Sequence, residues 1–188
     1  MNYYYLVASL PSLQLSAEPP MTRDEFRARA AEQLTAADLR ELDALFAGDG
    51  RSSFGRAFVR REAALRHALA LRRAEVRGRD AESLRESGME PDLALAAHVA
   101  DAFAAADPLE RERRIDAMRW RWLEEQQERD PFAPTAVFSY ALRLDLAQRW
   151  SARTEAMGRK DLAEQKARML SGFDNLEFTM DAATETGA

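Results

Sequence analysis

The chain has 188 residues, 46% apolar and 31% charged, with a mean hydropathy of −0.48; that balance suits one folded domain of ordinary size, or two small ones, and excludes a disordered chain. Lys and Arg number 27 against 32 Asp and Glu, a formal charge of −5, the wrong sign for general nucleic-acid binding, which works by neutralising phosphates. There is no cysteine, which excludes disulfides, thiolate catalysis and Cys-ligated metals, and no apolar run of about 18 residues exists to insert directly into a membrane.

The first segment, Tyr3-Tyr4-Tyr5-Leu6-Val7-Ala8, has no basic flank and stops at Pro11, so it does not read as a signal peptide. Its aromatic and β-branched residues predict short extended pieces over residues 3–15, and Pro19-Pro20 closes them as a stiff connector. The period then becomes helical. Thr22 and Glu25 have capping-box spacing, and Phe26, Ala30 and Leu34 follow on one face. Thr35 with Asp38 opens a second helix, whose stripe is Leu39, Leu42, Leu45 and Phe46; Gly48-Asp49-Gly50 ends it. A third helix carries Phe54, Phe58, Leu65, Leu69 and Val76 in a heptad-like seam, with Arg60, Arg61, Arg66, Arg72 and Arg73 mostly off it, and that seam predicts lengthwise packing on another helix. A loop is expected from Gly78 to Gly88.

A fourth helix is predicted from about Pro91 to Ala106, rich in alanine and open to close approach. Asp107 and Pro108 then supply a cap and a first-turn proline for a fifth helix, with Ile115, Met118 and Trp122 facing inward and Asp130-Pro131 and Pro134 as breakers. The sixth predicted helix runs from about Thr135 to Ser171. Phe138, Leu142, Leu146 and Trp150 recur every four residues there, widened by Val137, Ala141 and Leu144, as in a central core helix. No Lys or Arg follows Asp174, so residues 174–188 are expected to form a flexible acidic tail. The fold class is therefore all-α: an elongated bundle of about six helices with a short extended N-terminal segment, in one domain over residues 1–173.

The chemistry-bearing motifs are weak. Gly50-Arg51-Ser52-Ser53-Phe54-Gly55-Arg56-Ala57 has the glycine spacing of a phosphate loop, but Arg56 and Ala57 stand where that motif needs Lys and Ser or Thr. The two histidines, His67 and His98, lack the carboxylate spacing of a metal site; His98 with Asp101 is the nearest approach. No nucleophile elbow occurs, and the carboxylate pairs sit where solvated helix faces are expected. No catalytic residue, cofactor or metal is predicted. All basic residues except Lys160 and Lys166 are arginine, and alanine is abundant, which fits codon usage in a GC-rich genome. Trp120 and Trp122 are two apart and cannot share a helix face, so one is expected to leave the core. An exposed aromatic between arginines marks Arg119, Trp120 and Arg121 as the candidate partner-binding residues.

The opening Tyr3-Tyr4-Tyr5-Leu6-Val7-Ala8-Ser9-Leu10-Pro11-Ser12-Leu13, the run from Phe26 through Leu39 to Phe46, and Tyr140-Ala141-Leu142-Arg143-Leu144 through Arg149-Trp150 together resemble an uncharacterised bacterial family encoded in V-type ATP synthase operons. The resemblance implies a non-catalytic subunit or accessory factor of a V-type ATPase. Its partners would be rotor-stalk or membrane-ring subunits, and its position analogous to the C/d subunit that couples stalk to ring. The chain is much shorter than a full three-repeat funnel of that type. The implied location is cytoplasmic, peripheral to the inner membrane through the ATPase. The residues alone leave a second reading open, a free-standing helical adaptor or self-associating bundle, motivated by the Phe54–Val76 seam.

Overall fold

Five short polar side chains set where the helices begin. Thr22, Thr35, Ser52, Asp92 and Asp107 each hold extended backbone and accept a backbone N–H from two or three residues ahead, those of Glu25, Asp38, Gly55, Leu95 and Leu109, so each satisfies a donor that the first turn leaves without a partner. At Thr22 the box closes reciprocally, because the Glu25 carboxylate accepts the Thr22 N–H at 2.7 Å. The computed structural model describes residues 2–79 and 92–153. Among these lie seven helices and no strand: α1 (Tyr4–Ser9), α2 (Arg23–Ala31), α3 (Ala36–Phe46), α4 (Ser53–Val76), α5 (Leu93–Phe103), α6 (Pro108–Arg129) and α7 (Pro134–Ser151). The all-α class expected from periodicity is the observed one.

Two apolar clusters hold the helices together. The larger gathers Tyr3 and Leu6 of the N-terminal segment, Phe26 and Ala30 of α2, Leu42 and Leu45 of α3, Phe54 of α4, Leu123 of α6 and seven residues of α7 between Val137 and Leu146. The smaller joins Leu65 and Leu69 of α4, Leu95, Val99 and Ala102 of α5, and Ile115 of α6. The long helices α4 and α6 contribute to both clusters. They run antiparallel, since Glu62 pairs with Arg119 and Arg73 with Glu112. Helix α5 is also antiparallel to α6: Arg114 pairs with Asp101 near the end of α5, while Leu95 lies beside Met118 and Trp122. Helices α4 and α5 therefore run in the same direction.

Helix α7 is the centre of the larger cluster. Every residue from Ala136 to Leu144 is buried, Ser139 and Arg143 included. A helix enclosed on all sides loses the apolar stripe that marks a surface helix. The α2–α3 pair is clamped at its edge by a two-pronged Arg27–Asp43 contact at 2.6 and 2.7 Å, and the Arg27 guanidinium holds the Asp43 carboxyl below its usual range. The chain divides into two compact units, Met1–Gln148 and Arg149–Ala188. Both clusters lie in the first; in the described part of the second, the Arg153 guanidinium lies 4.7 Å over the Trp150 ring.

Several expectations are corrected. Residues 4–9, read as extended, form α1. The reason is the positions that must be buried: Tyr3 and Leu6 go inside while Tyr4 and Tyr5 are 52% and 82% exposed, and a period of two would have placed Tyr5 with Tyr3. Extended backbone begins only at Leu10. The α4 seam is internal over Phe54, Leu65 and Leu69, but Val76 is 61% exposed. It lies just beyond Arg73, which pairs with Glu112 in the first turns of α6, so the facing helix ends there. The helix expected to begin near Pro91 begins at Leu93, after Asp92 as its cap. The helix expected from about Thr135 to Ser171 runs from Pro134 to Ser151, and Ala152 and Arg153 are no longer helical; the expected Gly78–Gly88 loop falls mostly, and residues 154–171 and the expected acidic tail fall wholly, outside the described residues.

Candidate functional site

The glycine-spaced loop before α4 has its amides occupied by the protein itself. The Glu41 carboxylate accepts the Arg51 N–H at 3.0 Å and the Ser52 N–H at 2.9 Å, the place at a helix start where a phosphate would otherwise be held. The glycines serve packing. A Cβ on Gly55 would lie 2.3 Å from Glu41 Oε1 and 2.6 Å from the Gly50 carbonyl carbon. Only two glycines let the turn close against α4 around that carboxylate.

The three residues singled out on α6 separate in space. Arg119 turns toward α4 and is only 17% exposed at its side chain; it reaches Glu62 at 3.0 Å and the fully buried Asp116 at 2.7 Å. Burial opposes its charge, yet Glu62 and Asp116 together hold the guanidinium above its usual range. Trp120 turns toward α7, whose Arg143 guanidinium lies 5.2 Å over its ring, and its indole N–H donates to Glu124 one turn along α6. Arg121 is exposed. Neither tryptophan leaves the bundle, because α6 is flanked by apolar surface on two sides. Trp122 packs between Phe54 and Phe58 of α4 at ring separations of 5.9 and 6.1 Å, while both tryptophans border the larger cluster.

Arg121 and Trp122 lie instead on a cleft where α4, α5 and α6 meet. Its volume is about 200 Å3, and Arg61, Asp92, Leu95, His98, Met118 and Glu125 complete most of its wall. The floor is apolar, and a separate, smaller recess lined by Phe58, Leu65, Glu62 and Arg119 shares Arg61, Leu95, Met118 and Trp122 with it. The Arg61 guanidinium sits 5.5 Å over the Trp122 ring. Asp92 is engaged at the cap of α5. His98 Nδ1 lies 2.8 Å from the Ala94 carbonyl oxygen, which can only accept, so the neutral ring carries its proton on Nδ1 and keeps Nε2 as an acceptor. The cleft thus combines an apolar pocket with a rim of both signs, the guanidiniums of Arg61 and Arg121 and the carboxylates of Asp92 and Glu125.

In the sequence Arg121 stands out only as a flank of Trp120, and the spacing of α6 does not single it out. That spacing could not reveal Arg61 or His98, which come from other helices and have no pattern relation to α6. Among the described residues no group of three or more His, Asp and Glu could hold a metal ion, and no helix is long and apolar enough to cross a membrane. A second polar cluster is buried at α6–α7. There Arg143 reaches Glu124 at 3.2 Å and Gln127, while its Nε and the Ser139 hydroxyl have no hydrogen-bond partner.

A family model described as a protein of unknown function (DUF2764) matches residues 76–170, half the chain. Every wall residue of the cleft except Arg61 falls within that stretch, and the N-terminal tyrosine block falls outside it. No curated protein and no solved structure matches the chain.

Proposed function

The chain belongs to the DUF2764 family of proteins of unknown function, and from that premise we propose that it is a non-catalytic subunit or accessory factor of a bacterial V-type ATPase, acting by docking to neighbouring subunits. The observation that carries the docking part is the α4–α5–α6 cleft, an apolar pocket open at the surface and rimmed by Arg61 and Arg121. Aromatic and arginine side chains around a pocket are the composition of protein-binding hot spots. The ATPase part is supported by the resemblance of the N-terminal tyrosine block and of the Tyr140–Trp150 run to the operon-encoded family.

In this reading the protein stands at the cytoplasmic side of the membrane, held there by the rotor stalk or the ring. A body that transmits or braces torque needs helices tied along their length. Helices α4 and α6 are joined by the Glu62–Arg119 and Arg73–Glu112 pairs and by the Trp122 stack. The alternative, a free-standing helical adaptor or self-associating bundle, draws less support from the Phe54–Val76 seam, where Phe54, Leu65 and Leu69 are covered within the same chain and Val76 is exposed. The test is affinity purification of the tagged full-length chain from a host that expresses the ATPase, with quantification of the stalk and ring subunits. Enrichment of these subunits over an unrelated helical bait is expected. A bait that enriches none of them refutes the ATPase reading.

A further inference from the structure

We infer that the outer face of α4 docks an acidic helix of a partner protein, an inference that rests on the docking reading above and names the partner's chemistry. Phe54, Phe58, Leu65 and Leu69 turn one side of α4 into the two clusters. At 3.6 residues per turn, Arg56, Arg60, Arg66, Arg73 and Arg77 fall on the other side, and all five are exposed. From Arg56 to Arg77 the row runs about 32 Å at 1.5 Å per residue. Val59, Ala63, His67, Ala70 and Ala74 lie between these arginines, partly exposed, and the alanines let a second helix come close.

The charge of the row is not answered within the chain. Helix α4 carries six arginines and two glutamates, and both glutamates are engaged off this face, Glu62 with Arg119 and Glu75 with Arg72. Acids of the preceding turn and helix are taken up too: Glu41 accepts the amides of Arg51 and Ser52, and Asp49 pairs with Arg51. Glu112 of α6 reaches Arg73 only at 4.0 Å. The Arg56 guanidinium donates to the Arg51 carbonyl at 2.6 Å, which leaves its charge uncompensated. Among the described residues no carboxylate lies within ion-pair distance of Arg56, Arg60, Arg66 or Arg77. Arg56 with Arg60, and Arg73 with Arg77, are like charges four apart, an arrangement unfavourable to an isolated helix. On other helices arginine meets acid, as at Arg27–Asp43, Arg114–Glu110 and Arg143–Glu124. Codon usage accounts for arginine in place of lysine; it does not account for a one-sided row.

The charge of the whole chain decides among anionic partners. It is formally −5, so the surface around the row is net acidic. A nucleic acid or an anionic bilayer extends well past one helix face and meets that surface within a Debye length, ~8 Å at physiological salt. An acidic helix laid along α4 touches the row alone. Opposed charges along so narrow a stripe select the partner and fix its register.

The test is fluorescence anisotropy of a labelled helix-forming peptide of alanine, leucine and glutamate, about 22 residues long to match the row, titrated with the full-length protein. Saturable binding is expected at about 50 mM salt and weaker binding at about 300 mM, with the same peptide carrying lysine for glutamate at least about tenfold weaker. Arg60→Glu with Arg66→Glu should weaken the acidic peptide at least about tenfold, as two exposed ion pairs become repulsions. Arg60→Gln with Arg66→Gln, gentler on folding, should weaken it about threefold. Arg29→Glu with Arg40→Glu, at exposed positions of α2 and α3, changes the net charge equally and should leave binding unchanged. Equal loss in the two charge-reversed pairs, equal binding of the lysine peptide, or no saturation at millimolar protein overturns the inference. Tighter binding to duplex DNA of the same length or to phosphatidylglycerol vesicles also overturns it, in favour of a polyanion or a membrane surface. If the peptide fails while ATPase subunits still co-purify, the α4 face falls and the docking reading stands; peptide binding without any such enrichment removes the ATPase and leaves the face.

Discussion

Tyr140→Phe separates a hydrogen bond from a proton. The Tyr140 hydroxyl is buried on α7 beside Phe26 and donates to the Pro11 carbonyl at 3.0 Å, which ties the N-terminal segment to the central helix. Burial pushes the phenol up to about 12 from 10.0, against a smaller opposing pull from Arg143 and Arg29. At neutral pH the variant loses one hydrogen bond, worth ~1 kcal/mol, and is expected to be less stable by that amount. Above the unfolded-state value of about 10 the unfolded chain releases the proton and the folded protein retains it. Wild-type stability therefore falls as pH rises, by up to ~2.7 kcal/mol once the pH passes the folded value, taking ~1.4 kcal/mol per unit. The variant carries no such proton. The two stabilities should converge above about pH 10 and cross near about pH 11. Urea unfolding followed by far-ultraviolet circular dichroism, at pH steps from about 7 to about 11, measures the gap directly. A gap that stays constant through that range refutes the argument that folding shields this phenol.

Arg119→Ala leaves the buried Asp116 without its guanidinium and should cost ~3–5 kcal/mol, whereas Arg114→Ala, which removes the more exposed contacts to Glu110 and Asp101, should cost no more than ~1 kcal/mol; equal losses in denaturant melts would contradict this. Gly55→Ala improves helix propensity by ~1 kcal/mol but drives a Cβ into Glu41 and Gly50, so a net loss of ~1–3 kcal/mol is expected, and a raised melting temperature would show that the close approach is not binding. Ser139→Ala removes a buried hydroxyl that has no hydrogen-bond partner and should be neutral or stabilising by up to ~1 kcal/mol; a clear loss would mean that the hydroxyl is satisfied in solution.

Where local chemistry decides the outcome, the reading from residues agrees with the structure. Thr22, Thr35 and Asp107 were legible as caps because an N-cap depends on a few neighbouring residues. Residues 4–9 form a helix although their aromatic and β-branched content favours extended backbone. Tyr3, Leu6, Val7 and Leu10 stand at i, i+3, i+4 and i+7, the helical period, and that signal was present. Trp120 and Trp122, two apart in sequence, both pack inward because a helix flanked by apolar surface on both sides can bury two opposed faces.

Amphipathic period, cap and breaker residues by themselves determined the all-α class and roughly where most helices of the described residues begin, since hydrogen bonds of a helix close within four residues and need no distant partner. They also placed Phe54, Leu65 and Leu69 inside. Only the tertiary structure decided that α4 and α5 run the same way, that Glu41 fills the turn before α4, and that Arg61, His98, Arg121 and Trp122 meet at one cleft. Those residues lie on three helices brought together by burial of apolar surface, a force proportional to area and blind to direction, so no local spacing records which side chains it brings together.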